Sequence, residues 1–567
     1  MKNEDYGPKL KSSMNIYTTK YLTSGESFKD GMSRVASALT TEHSQFLTAR
    51  QVLLDQRFLP AGRIQASVGS ARRTTPYNCF VSGTIQDSMT DIMDKAKEAA
   101  LTMKLGGGIG YDFSTLRPNG ANIVSLDSSA SGPLSFMDVF DSVCGTVSSA
   151  GHRRGAQMAV LRVDHPDIEA YVHAKNNHTK FTNFNTSIGI TDEFMEAVFN
   201  DRDFDLRFEN RVYKTVSAKA LWEAIMRSTW DWAEPGVLFI DRINDMNNLR
   251  YCETIAATNP CGEQPLPPYG ACLLGSWNLV KYIKMVDGKP VFDWAMFGAD
   301  IPTVVRMMDT VVDVATYPLP QQEEEAKSKR RMGLGITGLA NTAERLGLPY
   351  GSPKMIAWTE KLLEFMRDEC YLASIELAKE KGPFPCFKAP EYMSSGFAKT
   401  LPKNIRALIK KHGIRNSHLL SIAPTGTISM AADNVSSGLE PPFALEYTAT
   451  INFPTGIENV KMVDYAYREW GIKGRTSNDI SVMDHVNVLC AATRFIDSAC
   501  SKTCNVGADV TFDQFKDVYI AAYKGGARGC TTFRDAGKRF GVRNVEEDYS
   551  EGTACYIDQE TGQKECS

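Results

Sequence analysis

The residues best equipped for chemistry sit in one stretch, Asn259-Pro260-Cys261-Gly262-Glu263-Gln264-Pro265-Leu266-Pro267-Pro268-Tyr269-Gly270-Ala271-Cys272-Leu273-Leu274-Gly275-Ser276. Its prolines and glycines forbid a regular helix, so it reads as a shaped loop. In an extended loop the side chains at i and i+2 point the same way. That turns the Cys261 thiol and the Glu263 carboxylate toward one ligand, with the Asn259 amide beside them. A thiol and a carboxylate trained on one ligand suit sulfur chemistry assisted by a base. A bare Cys-Gly-Glu is more often part of a proline-rich surface turn, so the weight rests on the length of the stretch.

A second cluster is Ser421-Ile422-Ala423-Pro424-Thr425-Gly426-Thr427-Ile428-Ser429-Met430. A β-rich run stops at Pro424 and presents hydroxyls and successive N–H groups at a helix N-terminus, an anion cradle. No Gly-Lys-Ser/Thr follows, so it is not a Walker loop, and a hydroxyl-rich cap without ligand has the same composition. The glycine run Leu105 to Phe113 has a helical segment before it and a strand-like one after, the wrong order for a dinucleotide fingerprint. It reads instead as backbone running close beneath a ligand. Asp87-Ser88-Met89 opens a helix through Lys95, with Asp87 or Ser88 as cap. No metal site is expected: Cys500 and Cys504 form an i, i+4 pair without a second half, and His152, His173 and His178 lack ligand spacing.

The Asn259–Ser276 stretch resembles the finger loop of ribonucleotide reductases, most closely the adenosylcobalamin-dependent class II enzymes. The resemblance implies an α/β fold, a ten-stranded α/β barrel of the thiyl-radical type with the finger loop through its centre. It implies that Cys261 becomes a thiyl radical, that Glu263 acts as base on the ribose 3′ hydroxyl, and that Asn259 hydrogen-bonds the sugar. Cys79, in Tyr77-Asn78-Cys79-Phe80-Val81, is implied as the partner of Cys272 in a reducing dithiol; taken alone it would be a buried core thiol. Substrate is implied against Ala61, Gly62, Asn78 and Gly107, with its phosphate on Pro424, Thr425, Gly426, Thr427, Ile428 and Ser429. A deoxynucleotide specificity effector is implied at Asp87, Ser88, Met89, Lys104 and Arg117, where a carboxylate suits a ribose hydroxyl and two cations suit phosphates. The amphipathic segment from Gly132 to Val147 is implied to pack on its twin in a homodimer, and the polar segment 175–183 to relay effector identity.

Subclass features point the same way. Thr531-Thr532-Phe533 stands where class I enzymes carry a Tyr-Tyr pair, and no Arg-Val-x-Gly-Tyr-like glycyl-radical segment is found. Adenosylcobalamin is therefore the expected cofactor, although no Asp-x-His-x-x-Gly cobalamin motif is found. A diphosphate substrate is favoured over a triphosphate. Two alternatives stand beside this: a class I large subunit needing a separate metal-radical subunit, and a non-catalytic nucleotide-binding regulator. Cys555 and Cys566 near the C-terminus suit a tail that exchanges electrons with a thioredoxin-like or glutaredoxin-like reductant, or a small metal knuckle.

The elements that must position these groups fall into three expected parts: a helical segment 1–55 with no room for an ATP cone, a catalytic α/β barrel 56–544, and a flexible tail 545–567. Over 567 residues the composition is 43% hydrophobic and 23% charged, ordinary for a globular protein, and a net charge of −4 gives no basic footprint for nucleic acid. No signal core or run of about 18 apolar residues is found, so cytoplasmic location without membrane attachment is expected. Thirteen cysteines in that setting read as reduced thiols rather than a disulfide framework.

Overall fold

The computed structural model describes residues 6–123, 126–147, 156–176, 180–453, 456–507 and 509–534, with the short strand segments 543–544, 555–557 and 564–566. Eleven strands organise the site: β1 Phe58–Pro60, β2 Cys79–Val81, β3 Gly108–Asp112, β4 Gln157–Arg162, β5 Phe184–Ile190, β6 Gly236–Phe239, β7 Ala271–Cys272, β8 Leu274–Asn278, β9 Gly333–Thr337, β10 Thr503–Val506 and β11 Gly529–Arg534. Eight of them form one sheet in the order β7-β2-β3-β4-β5-β6-β11-β10, and β1-β8-β9 form a second. Strands β2 to β6 are mutually parallel; β6 meets β11 antiparallel, and β10 runs parallel to β11.

Parallel strands covered on both faces read as continuous apolar runs, and β6, β8 and β9 are buried at every position. The alternation along β4 shows what lies on each side. Met158 and Val160 join one core with Phe80, Trp277, Phe297 and Met366, whereas Ala159 and Leu161 join another with Tyr111, Phe140, Phe184 and Tyr519. The N-terminal helices Phe28–Ala38 and His43–Leu54 enter the first core through Met32, Val35, Val52 and Leu53.

The ladders of these eleven strands make an eight-stranded and a three-stranded sheet, without a closed ring of ten among the described residues. They are linked by isolated parallel bridges, Leu334 with Leu420 and Ile422 with Cys500, which lead from β9 through residues 420–422 toward β10. Helices α1 Met89–Lys104, α2 Pro133–Thr146 and α5 Gly426–Ala431 carry candidate residues, and α3 Trp294–Val314 and α4 Pro353–Lys381 pack in the first core. Ser88 caps α1 by accepting from the Asp91 N–H, and α1 runs well past Lys95. Among the described residues no helix is long and apolar enough to cross a membrane.

Candidate active site

The stretch from Ala257 to Leu266 is a hairpin rather than an extended loop. Ala257 pairs with Leu266 and Thr258 with Pro265. At its tip Gly262 N–H donates to Asn259 O at 3.0 Å, closing a β-turn with Pro260 second and Gly262 fourth, positions that suit a type I turn. The Asn259 side chain then stitches the turn to the ladder, its Oδ1 accepting from Gln264 N–H at 3.0 Å. The backbone from Cys261 to Glu263 is therefore a turn and not the extended chain on which the i, i+2 argument depends. Cys261 is exposed at the tip, while Asn259 and Glu263 are buried behind it.

The hairpin is seated by the glycine strand. A Cβ on Gly110 would collide with the Thr258 carbonyl, and one on Gly108 would stand 3.3 Å from both Cys79 Sγ and Pro260 Cγ. The glycine run thus makes room for the finger hairpin; Gly107 faces the side chains of Phe80 and Thr102. Three distant segments clamp the hairpin backbone: Asn185 Nδ2 donates to Pro260 O at 2.9 Å, Ser421 Oγ to Glu263 O at 2.9 Å, and Ala499 N–H to Glu263 O at 3.0 Å. Asn185 and Ala499 carried no sequence signal as site residues, and Ser421 was legible only as the start of the cradle motif.

Cys79 and Cys272 come together through register. β7 pairs antiparallel with β2 so that Cys272 stands directly opposite Cys79 and Ala271 opposite Phe80. Such opposed residues have Cα atoms about 4.5–5.5 Å apart, within the span of a disulfide. Both carry buried thiols. The Cys272 thiol is pushed well above its ordinary value, by burial first and then by Glu263, Cys79 and Cys261. Those neighbours place the hairpin's thiol and carboxylate around the dithiol. Buried polar atoms without a hydrogen-bond partner gather here too: Asn78 Oδ1, Asn259 Nδ2 and both amide atoms of Gln264. Buried polar groups normally find partners, so this concentration fits a polar ligand.

The other substrate candidates divide. Ala61 N–H is spent on Leu274 O at 3.0 Å, and Gly62 is side-chain-free because the Tyr21 ring occupies the space of its Cβ, with the ring's Cε1 at 2.6 Å. In the cradle, Thr425 holds φ 54°, a conformation rare for a β-branched residue. Its hydroxyl is fixed by Thr337 Oγ1 at 3.1 Å and by Gly438 N–H at 2.9 Å. Ser429 Oγ is likewise engaged, with Gly426 O and Ser437 Oγ. The hydroxyls of Thr425 and Ser429 are thus engaged within the fold, and a Cβ on Gly426, the first residue of α5, would meet nothing within 4 Å.

At the effector candidates, Arg117 pairs with Asp87 through its Nε and its backbone N–H, and Met89 lies exposed at the start of α1. Lys104 ends the same 16-residue helix. At a rise of about 1.5 Å per residue it stands roughly 22 Å from Met89, so one chain does not bring it to Asp87. Residues 148–155, with His152, and residues 177–179, with His178, lie outside the described residues. So do the side chains of Cys555 and Cys566, whose strands pair in register opposite each other.

A family profile described as the barrel domain of ribonucleotide reductase matches residues 77–533. A vitamin B12-dependent ribonucleoside-diphosphate reductase of Thermoplasma acidophilum is 35% identical over 490 residues, 81% of this chain and 61% of the relative. One of Mycobacterium tuberculosis is 35% identical over 488 residues, 80% of this chain and 67% of the relative. A vitamin B12-dependent ribonucleotide reductase of Streptomyces coelicolor is 28% identical over 569 residues, 85% of this chain and 58% of the relative. The chain thus spans about three fifths to two thirds of these relatives. With the barrel profile covering both the glycine strand and the thiol-bearing hairpin, this chain belongs to the ribonucleotide reductase family.

Proposed function

We propose that the chain reduces ribonucleotides to 2′-deoxyribonucleotides by thiyl-radical chemistry initiated with adenosylcobalamin, on a ribonucleoside diphosphate. The observation that carries this reading is the register setting Cys272 opposite Cys79, beside a hairpin whose tip presents Cys261. Two of the relatives are named vitamin B12-dependent ribonucleoside-diphosphate reductases, which supports the cofactor and the substrate. Ten of the strands in the two sheets are read as the staves of one barrel around the finger hairpin, with residues 420–422 bridging the sheets.

The tip fits the cofactor. Cys261 is exposed, and beside it a Cβ on Gly262 would meet nothing within 4 Å, so a large group can approach the thiol and rest on these two residues. The chemistry adenosylcobalamin supplies when bound is hydrogen-atom abstraction, here from the Cys261 thiol. The Cys261 thiyl then takes the ribose 3′ hydrogen. Glu263 receives the 3′ hydroxyl proton, and Asn259 Nδ2, with no other partner, donates to the sugar. The 2′ hydroxyl leaves as water, Cys79 and Cys272 deliver two electrons and two protons and become a disulfide, Glu263 returns its proton, and the Cys261 thiol gives its hydrogen back to C3′, which restores the thiyl. The N–H groups at the start of α5 hold the substrate phosphate.

Regulation needs two copies. Met89, Met93 and Leu101 are exposed apolar residues along α1, which packs beside α2. A homodimer paired antiparallel along these helices brings Lys104 of one subunit to the Asp87 end of the other, completing the effector site. Cys555 and Cys566 pass electrons from a thioredoxin-like or glutaredoxin-like reductant, and the enzyme works in the cytoplasm. The test is deoxynucleotide formation by the isolated chain with adenosylcobalamin and a dithiol. The unmutated chain should turn over and Cys261→Ser should not; an inactive unmutated chain refutes the reading.

A further inference from the structure

β7 is two residues long, and a ladder that short specifies its register weakly. A slip of one residue turns every side chain to the other face and would carry Cys272 away from Cys79. On its C-terminal side β7 runs straight into β8, which β1 and β9 hold; on its N-terminal side the residue placed to hold the register is Tyr269, three positions before Cys272. Tyr269 has φ 64°, uncommon for a residue with a side chain, so its backbone is held rather than relaxed. Its ring fills the space where Gly83 would carry a Cβ, with Tyr269 Oη 2.5 Å from that position. Its backbone N–H donates to Ser82 O at 3.4 Å, and the next residue, Gly270, accepts from Val81 N–H at 2.9 Å.

The hydroxyl end is anchored on α1. Lys95 Nζ donates to Tyr269 Oη at 2.7 Å and to Glu98 at 3.1 and 3.3 Å, and Tyr269 Oη donates to Glu98 Oε2 at 3.3 Å. Lys95 is 7% exposed, so its ammonium group is committed to this contact rather than to water. Burial pulls the Lys95 pKa down, but the hydrogen bonds to Tyr269 and Glu98 raise it on balance, and the cation persists.

We propose that Tyr269 is a positioning residue that fixes β7 on β2, holding Cys272 opposite Cys79, with Lys95 and Glu98 of α1 as its anchor. The proposal rests on Cys79 and Cys272 being the reducing dithiol. It also ties the helix bearing the candidate effector residues to the strand bearing one of the dithiol cysteines.

The test separates the two. The full chain is treated with stoichiometric diamide, which accepts two electrons and two protons from a pair of thiols, and the Cys79–Cys272 disulfide is followed by peptide mass mapping. Tyr269→Phe keeps the ring on Gly83 and removes the hydroxyl; Lys95→Met removes the anchor. Each should slow formation of that disulfide about tenfold, the scale of a hydrogen bond to a charged group. The double variant should be no slower than either single one, because both break one linkage. In turnover, Tyr269→Phe should lower kcat and leave the nucleotide KM unchanged. Disulfide formation at the parent rate in both single variants overturns the proposal. Failure of the unmutated chain to form this disulfide refutes the dithiol assignment itself, and the proposal with it.

Discussion

The seating of the finger hairpin on β3 makes a graded prediction from three glycines of one sheet. At Gly189 in β5 a Cβ would meet nothing closer than 3.6 Å, ordinary contact. At Gly108 it would stand 3.1 Å from Ala156 O and 3.3 Å from Cys79 Sγ and Pro260 Cγ, so neighbours must give by a few tenths of an ångström. At Gly110 it would overlap the Thr258 carbonyl, which is backbone and cannot rotate aside. Restoring the 3.0 Å below which Cβ contacts are essentially never seen requires the hairpin to retreat by roughly 1 Å. Asn259 follows Thr258 directly and Cys261 lies two residues further, so the retreat moves the chemistry. A displacement of about 1 Å in a reacting group costs on the order of 100-fold in rate. Overpacking itself costs about 1–3 kcal/mol of stability. Gly110→Ala should therefore lose on the order of 100-fold in kcat, with a stability loss too small to unfold the chain. Gly108→Ala should lose less than about tenfold, and Gly189→Ala should be neutral or slightly stabilised, since alanine costs less chain entropy in a strand. The assay is deoxynucleotide formation with adenosylcobalamin and dithiol, beside urea denaturation of each variant. Parent-like turnover by Gly110→Ala, or equal losses at all three positions, would refute the seating.

Other consequences are independent of that hairpin. The Glu344 carboxyl lies against Gly474 and near Asp464; burial first, then Asp464, pushes its pKa up to about 8 from 4.5. Between those values the folded chain holds a proton that the unfolded chain has released, so stability falls as pH rises through that window, by at most about 5 kcal/mol. Glu344→Gln should flatten the fall in urea midpoints between pH 5 and pH 8, and parallel profiles for the two proteins would rule it out. Asn185→Ala removes the bond to Pro260 O and should cost about 1 kcal/mol with a drop in kcat; unchanged turnover would show that the clamp is dispensable. Met93→Lys places a charge on the exposed apolar face of α1 and should shift sedimentation toward monomer and weaken the effector response, whereas an unchanged dimer would exclude that face.

The Asn259–Ser276 text, the cradle motif and the glycine run were legible because each is a local pattern whose residue types constrain the backbone directly. The cap on α1 was legible for the same reason, being a bond between residues three apart. The extended reading of Cys261 and Glu263 failed because turn closure by Gly262 N–H competes with extension, and side-chain alternation holds only where the chain is extended. The Cys79–Cys272 opposition depends on the register of two strands nearly 200 residues apart, which spacing cannot encode. The clamps from Asn185, Ser421 and Ala499 are likewise contacts between distant segments. The sequence by itself determined which thiols, amides and carboxylate the site can draw on. Only the tertiary structure decided which of them meet, because sheet order and register bring together groups that local chemistry leaves unconnected.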